Sequence, residues 1–522
     1  MPLSLACRNR VTALLIALMI IAIPAGSAAL GQQATPQATP DTTEQLAAVL
    51  PEWHDELLAV MDTASATYEI DAEVRLPGDG NPIPNITGTM TMEYTNTTGD
   101  PLTELPFRLY ANAFDDLGDL LRVGDVTVDG ADVTSNQSDD SSTVYVPFSE
   151  PLAPDDSATI GMSFVSAVPV NARQNYGIFN IDPSNGTWAL AHWYPMLAGW
   201  DPGRGWVLDP PSANGDPIFS TTATYDVTLR TPADWRAVTS GVEVESTDID
   251  AGIERRFVSG PSRDFTMVLD DDFEVAERDV DGTMISSWYN PGQERTGEAV
   301  LDYTAQALEY FNDLIGPYPY TTLDVVPVEL FGAAGVEFPQ LFYMSAGYYG
   351  PNQNLDVPNN LDFTVAHEVL HMWWYFMVGN NQYDHAFTDE GITQFMSATL
   401  YFSAVYGPEV GEIMTERHLT NPFRSNIEGG NDQIVDTPTD DFASSGGYVF
   451  AAYTKAPVGF MAIYDEIGEE AFNEAVTNYF YDNWFTVASP ADLQTAFEDA
   501  SGQDLEEIWS HWFEEAAGED DI

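Results

Sequence analysis

His367 and His371 stand four positions apart with Glu368 beside the first, and on a helix of 3.6 residues per turn that spacing sends both imidazoles out of one face. Two nitrogens so placed hold a metal ion. Eighteen residues separate His371 from Glu390, whose carboxylate falls in the first turn of a second predicted helix that starts near Thr388 and carries Ile392, Phe395 and Met396. Two histidines and one carboxylate fill three positions of a zinc ion and leave the fourth to water, which is the arrangement of a hydrolytic site rather than a closed structural one. Water held in this way ionises near pH ~7, and Glu368 is placed to take its proton. The expected cofactor is one Zn2+ on His367, His371 and Glu390.

The elements that must hold these residues are legible around them. Asn359 and Asn360 are predicted to cap the ligand helix, an apolar-rich run carries it, and Gly379-Asn380 is predicted to end it. Upstream, residues 296–316 form a predicted long amphipathic helix closed by Gly316-Pro317, and residues 322–330 a strand. Downstream, three more helices are predicted around 454–466, 468–484 and 490–500, the last opened by Ser489-Pro490, before residues 505–515 close the fold. His511, in that closing segment, reads as a packing residue.

Before residue 290 the period of the pattern is two. Residues 86–96, 142–148, 223–232 and 236–247 read as strands separated by stretches rich in Pro, Gly, Asn and Asp, which predicts an antiparallel β-sandwich-like domain over 65–290. The chain is thus read as α+β and multidomain: this β-domain, then a mainly helical catalytic domain over 291–522. Asn85, Asn96, Asn136 and Asn185 begin N-x-S/T triplets, which arise by coincidence in Thr-rich strands. Residues 30–64 are read as a Pro/Thr/Gln-rich tether, unstructured to about residue 45, followed by a short helix from Glu44 to Met61 that Pro51 interrupts.

Composition bounds the function from another side. The 522 residues are 44% hydrophobic and 12% aromatic, which suits a folded chain. The 82 acidic residues outnumber the 17 basic ones for a net charge of −65, a surface that repels nucleic acid and anionic membranes. Arg8 and Arg10, an apolar run over 11–23 and the small residues Gly26, Ser27, Ala28 and Ala29 form the pattern of an export signal, read as residues 1–29. An extracytoplasmic, secreted or cell-surface location follows, with strong membrane association only if that segment stays uncleaved. Cys7 is the single cysteine and lies within the signal, so the mature chain is expected to have no disulfide.

Four features resemble those of the gluzincin zinc aminopeptidases, the group of alanyl aminopeptidase. The first is the zinc motif with Trp373-Trp374, Gly379-Asn380 and Asp389-Glu390-Gly391 around it. The second is Gly335-Val336-Glu337, similar to the family's G-x-M-E-N loop, although Val336 replaces methionine and Phe338 replaces asparagine. The third is Tyr453-Thr454-Lys455, similar to Y-x-K-G with Ala456 for glycine, and containing the chain's only lysine. The fourth is diffuse: Tyr194-Pro195, Arg263-Asp264-Phe265 and Gly316-Pro317-Tyr318-Pro319.

The resemblance implies a thermolysin-like catalytic domain in which Glu337 binds the free α-amine of a peptide, Gly335 and Val336 contact its backbone, and Tyr453 steadies the oxyanion, with Tyr448 in support. Where family members often continue into a large helical carboxy-terminal domain, this chain stops at Ile522, which implies a short form with a more open cleft or a wall supplied by a partner subunit. Peptides with a free amino terminus are the expected substrates. A zinc endopeptidase without an amine anchor, and a silent exported binding or scaffold protein on the same fold, remain the alternatives. His192 and His385 have no partner at ligand spacing and are expected to pack rather than bind metal.

Overall fold

Alternating burial shows why the first half folds as sheet. In the strand Ala66–Arg75, Tyr68, Ile70, Ala72 and Val74 turn inward, while Glu69, Asp71 and Arg75 face solvent. This strand lies at the centre of an eight-stranded sheet in the order Val242–Ile249, Gly252–Val258, Ala223–Thr231, Ala66–Arg75, Asn85–Thr95, Ser157–Ala167, Leu121–Val128, Ala131–Asp132. Its pairing with Ala223–Thr231 is parallel and every other pairing in the sheet is antiparallel. Two four-stranded sheets and a two-stranded pair, Trp200–Asp201 with Gly205–Trp206, complete the β domain, and one buried core joins the three larger sheets. At its centre the Tyr68 and Tyr225 rings stack at 4.8 Å, and Tyr194 donates to Asp264 Oδ1 at 2.9 Å. The computed structural model describes residues 42–522, apart from 79–82, 113–117, 211, 213, 216 and 217.

The export signal and the tether as far as residue 41 lie outside the described residues. The start of the remaining tether is ordered, contrary to expectation, since Thr42–Ala48 is a 3₁₀ helix, while the expected short helix appears after Pro51 as His54–Thr63. The segment is pinned across the chain. Arg256 pairs with Glu44, Leu50 N donates to Pro319 O at 2.8 Å, and the Trp53 and Trp484 rings meet edge to face at 5.8 Å. Two of the N-x-S/T asparagines prove structural. Asn96 is fully buried and donates to Asp100 O and Leu152 O, and Asn85 is buried as well.

Helical periodicity governs the second half. Val300, Leu301, Ala305, Leu308 and Phe311 of the helix Glu294–Leu314 are buried on one stripe, and the helix bridges the parallel strands Thr283–Tyr289 and Thr322–Val328, a connection parallel pairing requires. These strands belong to a five-stranded sheet in the order Glu274–Val280, Thr283–Tyr289, Thr322–Val328, Leu341–Ser345, Gly335–Phe338. The ligand helix Asn360–Leu370 packs on the Glu294–Leu314 helix, and the three predicted tail helices appear as Ala456–Ile467, Glu469–Asp482 and Pro490–Ser501. Ser489 and Asp492 form a full capping box on the last. Among the described residues no helix is long and apolar enough to cross a membrane.

The ligand helix stops earlier than its sequence suggested. It ends at Leu370, and residues 372–378 form tight turns with Tyr375 at φ 85°. The cause is tertiary. Arg263 of the β domain is 1% exposed and donates to Phe376 O at 3.2 Å, Ser220 O at 2.8 Å and Thr486 O at 2.6 Å, so one guanidinium ties the turn after the ligand helix to both halves of the chain. Burial pulls its pKa down only to about 10, so it stays charged at neutral pH. Gly379 faces it so closely that a Cβ there would lie 2.3 Å from Arg263 Cζ. Gly379→Ala is therefore expected to destabilise the chain by about 2 kcal/mol or more, and Arg263→Met by a similar amount through the loss of a buried guanidinium and its bonds to Phe376 O, Ser220 O and Thr486 O, of which, among the described residues, only Thr486 O keeps another donor, Gly379 N. Urea unfolding checks both, and a change under about 0.5 kcal/mol would contradict the account.

Candidate active site

Asn359 caps the ligand helix as expected, its Oδ1 accepting from Asp362 N at 2.9 Å. From that fixed start the helix delivers His367, Glu368 and His371 into a buried layer, where they are 8%, 4% and 0% exposed. Glu390 opens the helix Glu390–Phe395 and is 3% exposed. The polar spacer is held from outside. Asn380 Nδ2 and Gln382 Nε2 donate to Asp389 at 3.1 and 2.8 Å, and Asp384 pairs with Arg204 of the β domain at 2.8 Å.

The three donor atoms form a near-regular triangle. His367 Nε2 lies 3.2 Å from Glu390 Oε2 and 3.2 Å from His371 Nε2, and His371 Nε2 lies 3.4 Å from the same carboxylate oxygen. A tetrahedral zinc with bonds of about 2.0–2.1 Å has ligand-to-ligand edges of about 3.3–3.4 Å. The triangle therefore fits one zinc ion, with the fourth position free. Two imidazole lone pairs this close to each other and to a carboxylate need a cation between them. The outer nitrogen of His371, Nδ1, faces Trp374 O at 3.3 Å, which sets Nε2 as the ligand atom.

Charge makes the same demand. Burial drives the Glu368 carboxyl well above its ordinary range, and the charges of Glu337 and Glu390 add to this. Burial also pushes Glu337 up to about 7, against the pull of His371, and Asp389 up to about 6 with Glu390 contributing. Glu390 goes the other way: burial would raise it, but His371 and His367 outweigh that and hold it below the usual carboxylate range. Four carboxylates in one dry site call for cations, and a bound dication supplies the largest.

A cavity of about 500 Å3 opens over this layer and is lined by Gly335, Val336, Glu337, His367, Glu368, Glu390 and Tyr453 among others. Of the predicted metal, catalytic and substrate-binding residues, all but the fully buried His371 line this one cavity. Glu337 sits on the edge strand Gly335–Phe338, with Oε1 4.0 Å from His371 Nδ1. Gly335 touches the water-activating carboxylate, since a Cβ on it would lie 2.4 Å from Glu368 Oε1. Tyr453 donates to Glu390 Oε1 and stacks over His367 at 6.1 Å, with Tyr448 edge-on to it at 5.9 Å. Phe338 turns away and packs on Tyr343 at 4.7 Å, in the core behind the strand.

Other candidates lie elsewhere. Lys455, despite its place beside Tyr453, is fully buried and donates to Asp432 Oδ1, Gln433 O and Glu515 O at 2.7–2.8 Å, tying the closing segment to a loop. The π-turn Ala451–Lys455 directs the two side chains apart. His192 is 1% exposed between Tyr110 and Phe338, and burial lowers its pKa to about 3. His385 pairs with Asp436 at 2.6 Å and His511 with Asp521 at 2.9 Å. Sequence reasoning missed Phe363, Gln394 and Tyr176, which line the cavity without any motif to mark them.

The model of the Peptidase family M1 domain matches residues 299–512, the stretch that carries every ligand and Tyr453. Residues 299–512 form a peptidase family M1 domain. Aminopeptidase 2 of Candida albicans is 26% identical over 234 residues, covering 44% of this chain and 25% of that protein. Glutamyl aminopeptidase of Bos taurus is 23% identical over 241 residues, again 44% and 25%. The chain thus spans about a quarter of the length of these curated relatives. The fold extends beyond the M1 domain: the M1 zinc metallopeptidase of Deinococcus radiodurans superposes with a TM-score of 0.62 at 16% identity, covering 87% of this chain and 94% of that one.

Purified protein is expected to contain one zinc per chain by metal analysis. His371→Ala and Glu390→Gln should lose it and Glu368→Gln should keep it; zinc retained by the first two would contradict the triangle.

Proposed function

We propose that this chain is an exported zinc aminopeptidase that removes residues from the free amino terminus of peptides. The observation that carries the reading is Glu337: a buried carboxylate beside the metal triangle, on the wall of the same cavity as the water-activating Glu368. A peptide's α-ammonium answers the negative charge there, and its pairing with Glu337 sets the register so that one residue is cut at a time.

A zinc ion on His367, His371 and Glu390 supplies Lewis acidity toward the scissile carbonyl and the attacking water. Glu368, whose Oε2 has no hydrogen-bond partner among the described residues and whose proton affinity burial raises, takes the proton of that water and delivers it to the leaving amine. The Tyr453 hydroxyl, a donor to Glu390 Oε1, turns to the oxyanion as charge develops. Among the described residues the strand Gly335–Phe338 pairs on one side only, with Leu341–Ser345, and offers its other edge to an extended peptide. Export rests on Arg8, Arg10 and the apolar run that follows them.

Glu368→Gln is expected to lower kcat about 100- to 10,000-fold with its metal retained. Glu337→Gln should weaken turnover of free peptides chiefly through KM, and acetylated peptides should resist the wild-type enzyme. Equal rates on free and acetylated peptides would favour an endopeptidase and overturn the reading.

A further inference from the structure

Three consecutive residues of the β domain, Asn175, Tyr176 and Gly177, have φ of 46°, 53° and 82°. Glycine takes such a conformation freely and asparagine tolerates it, but a tyrosine in it is held against its own preference, and strain of this kind gathers at functional sites. The turn is clamped to the segment just ahead of the edge strand. Phe331 N donates to Tyr176 O at 2.9 Å, and the Arg173 guanidinium lies 4.8 Å from the centroid of the Phe331 ring. Gly177 is the residue that permits this approach, because a Cβ there would stand 2.8 Å from Glu329 O.

The clamp has a directional result. The half-buried Tyr176 packs, with Ala333, against a cluster that includes Ile178, Leu330, Val336 and Phe338, and it lines the catalytic cavity. Ile178, two residues on, lines the small cavity behind Glu337 and Phe338. The loop therefore wraps the Glu337 end of the site. Among the described residues, and apart from Glu337, Glu368, Glu390 and His367, the cavity lining holds no ionisable group other than tyrosine hydroxyls.

We propose that Tyr176 is a specificity-determining residue: the β domain lends it to the catalytic cavity as the aromatic wall for the first side chain of the substrate. The inference rests on the aminopeptidase reading. With the α-ammonium on Glu337 and the scissile carbonyl at the metal triangle, the first side chain leaves the peptide between these anchors, into the cavity that Tyr176 lines from its packing place against the cluster of Val336 and Phe338, the neighbours of Glu337 in the edge strand. A flat ring among alanine and valine side chains favours large apolar or aromatic residues, and around Tyr176 the described lining, Gly332, Ala333, Ala334 and Val336, gives arginine and glutamate side chains no counter-charge.

The test is kcat/KM on a panel of aminoacyl reporters carrying Phe, Leu, Ala, Arg or Glu, for wild type, Tyr176→Ala and Tyr176→Phe, with zinc content measured for each. Wild type is expected to favour Phe and Leu over Arg and Glu by about tenfold or more. In Tyr176→Ala the Phe-to-Ala ratio should fall about tenfold, mainly through KM, while Tyr176→Phe keeps it. A ratio unchanged in Tyr176→Ala, or a uniform loss on all five reporters, overturns the proposal and leaves the aminopeptidase reading standing. If wild type cuts none of the five but cuts acetylated peptides, the aminopeptidase reading falls, and this proposal with it.

Discussion

Everything in this chain is arranged around three donor atoms held 3.2–3.4 Å apart in a dry layer. Two imidazoles and a carboxylate do not occupy such positions cheaply, because each loses its hydration and the two ring nitrogens oppose one another. A dication resolves the conflict, and the surrounding Glu337, Glu368 and Asp389 deepen the demand for it. The rest of the fold can be understood as what keeps that triangle from relaxing.

Two devices do this. Within the helical domain, the Asn359 cap fixes one end of the ligand helix, and the hydrogen bonds of Asn380 and Gln382 to Asp389 fix the spacer that carries Glu390. From the β domain, Arg263 grips the turn after the helix and Arg204 grips the spacer. The β domain is therefore a brace at two points between His371 and Glu390, and through residues 173–178 it also reaches the substrate cavity. The more specific the chemistry, the more the site depends on parts of the chain distant in sequence.

That dependence explains what could be read from sequence and what could not. His367, Glu368 and His371 were legible because helical periodicity fixes their direction, Glu390 because it falls in the first turn of the next predicted helix, and the alternating strands before residue 290 announced a β domain for a similarly local reason. The end of the ligand helix was misplaced because a buried arginine from another domain, not Gly379, turns the chain at 372–378. Lys455 drew attention as the single lysine beside a motif tyrosine, yet a π-turn points it into a structural knot. Tyr176 carried no signal at all, since its role depends on backbone angles and on a contact with Phe331 that no periodicity encodes.

The account stands or falls on where the metal sits. A second buried set, Glu337, His371 and Asp389, shares one histidine with the first and also brings its donor atoms close together. Anomalous diffraction across the zinc absorption edge distinguishes the two. The account predicts a single peak about 2.0–2.2 Å from His367 Nε2, His371 Nε2 and Glu390 Oε2. A peak among Glu337, His371 and Asp389, or no zinc at either set, would contradict it.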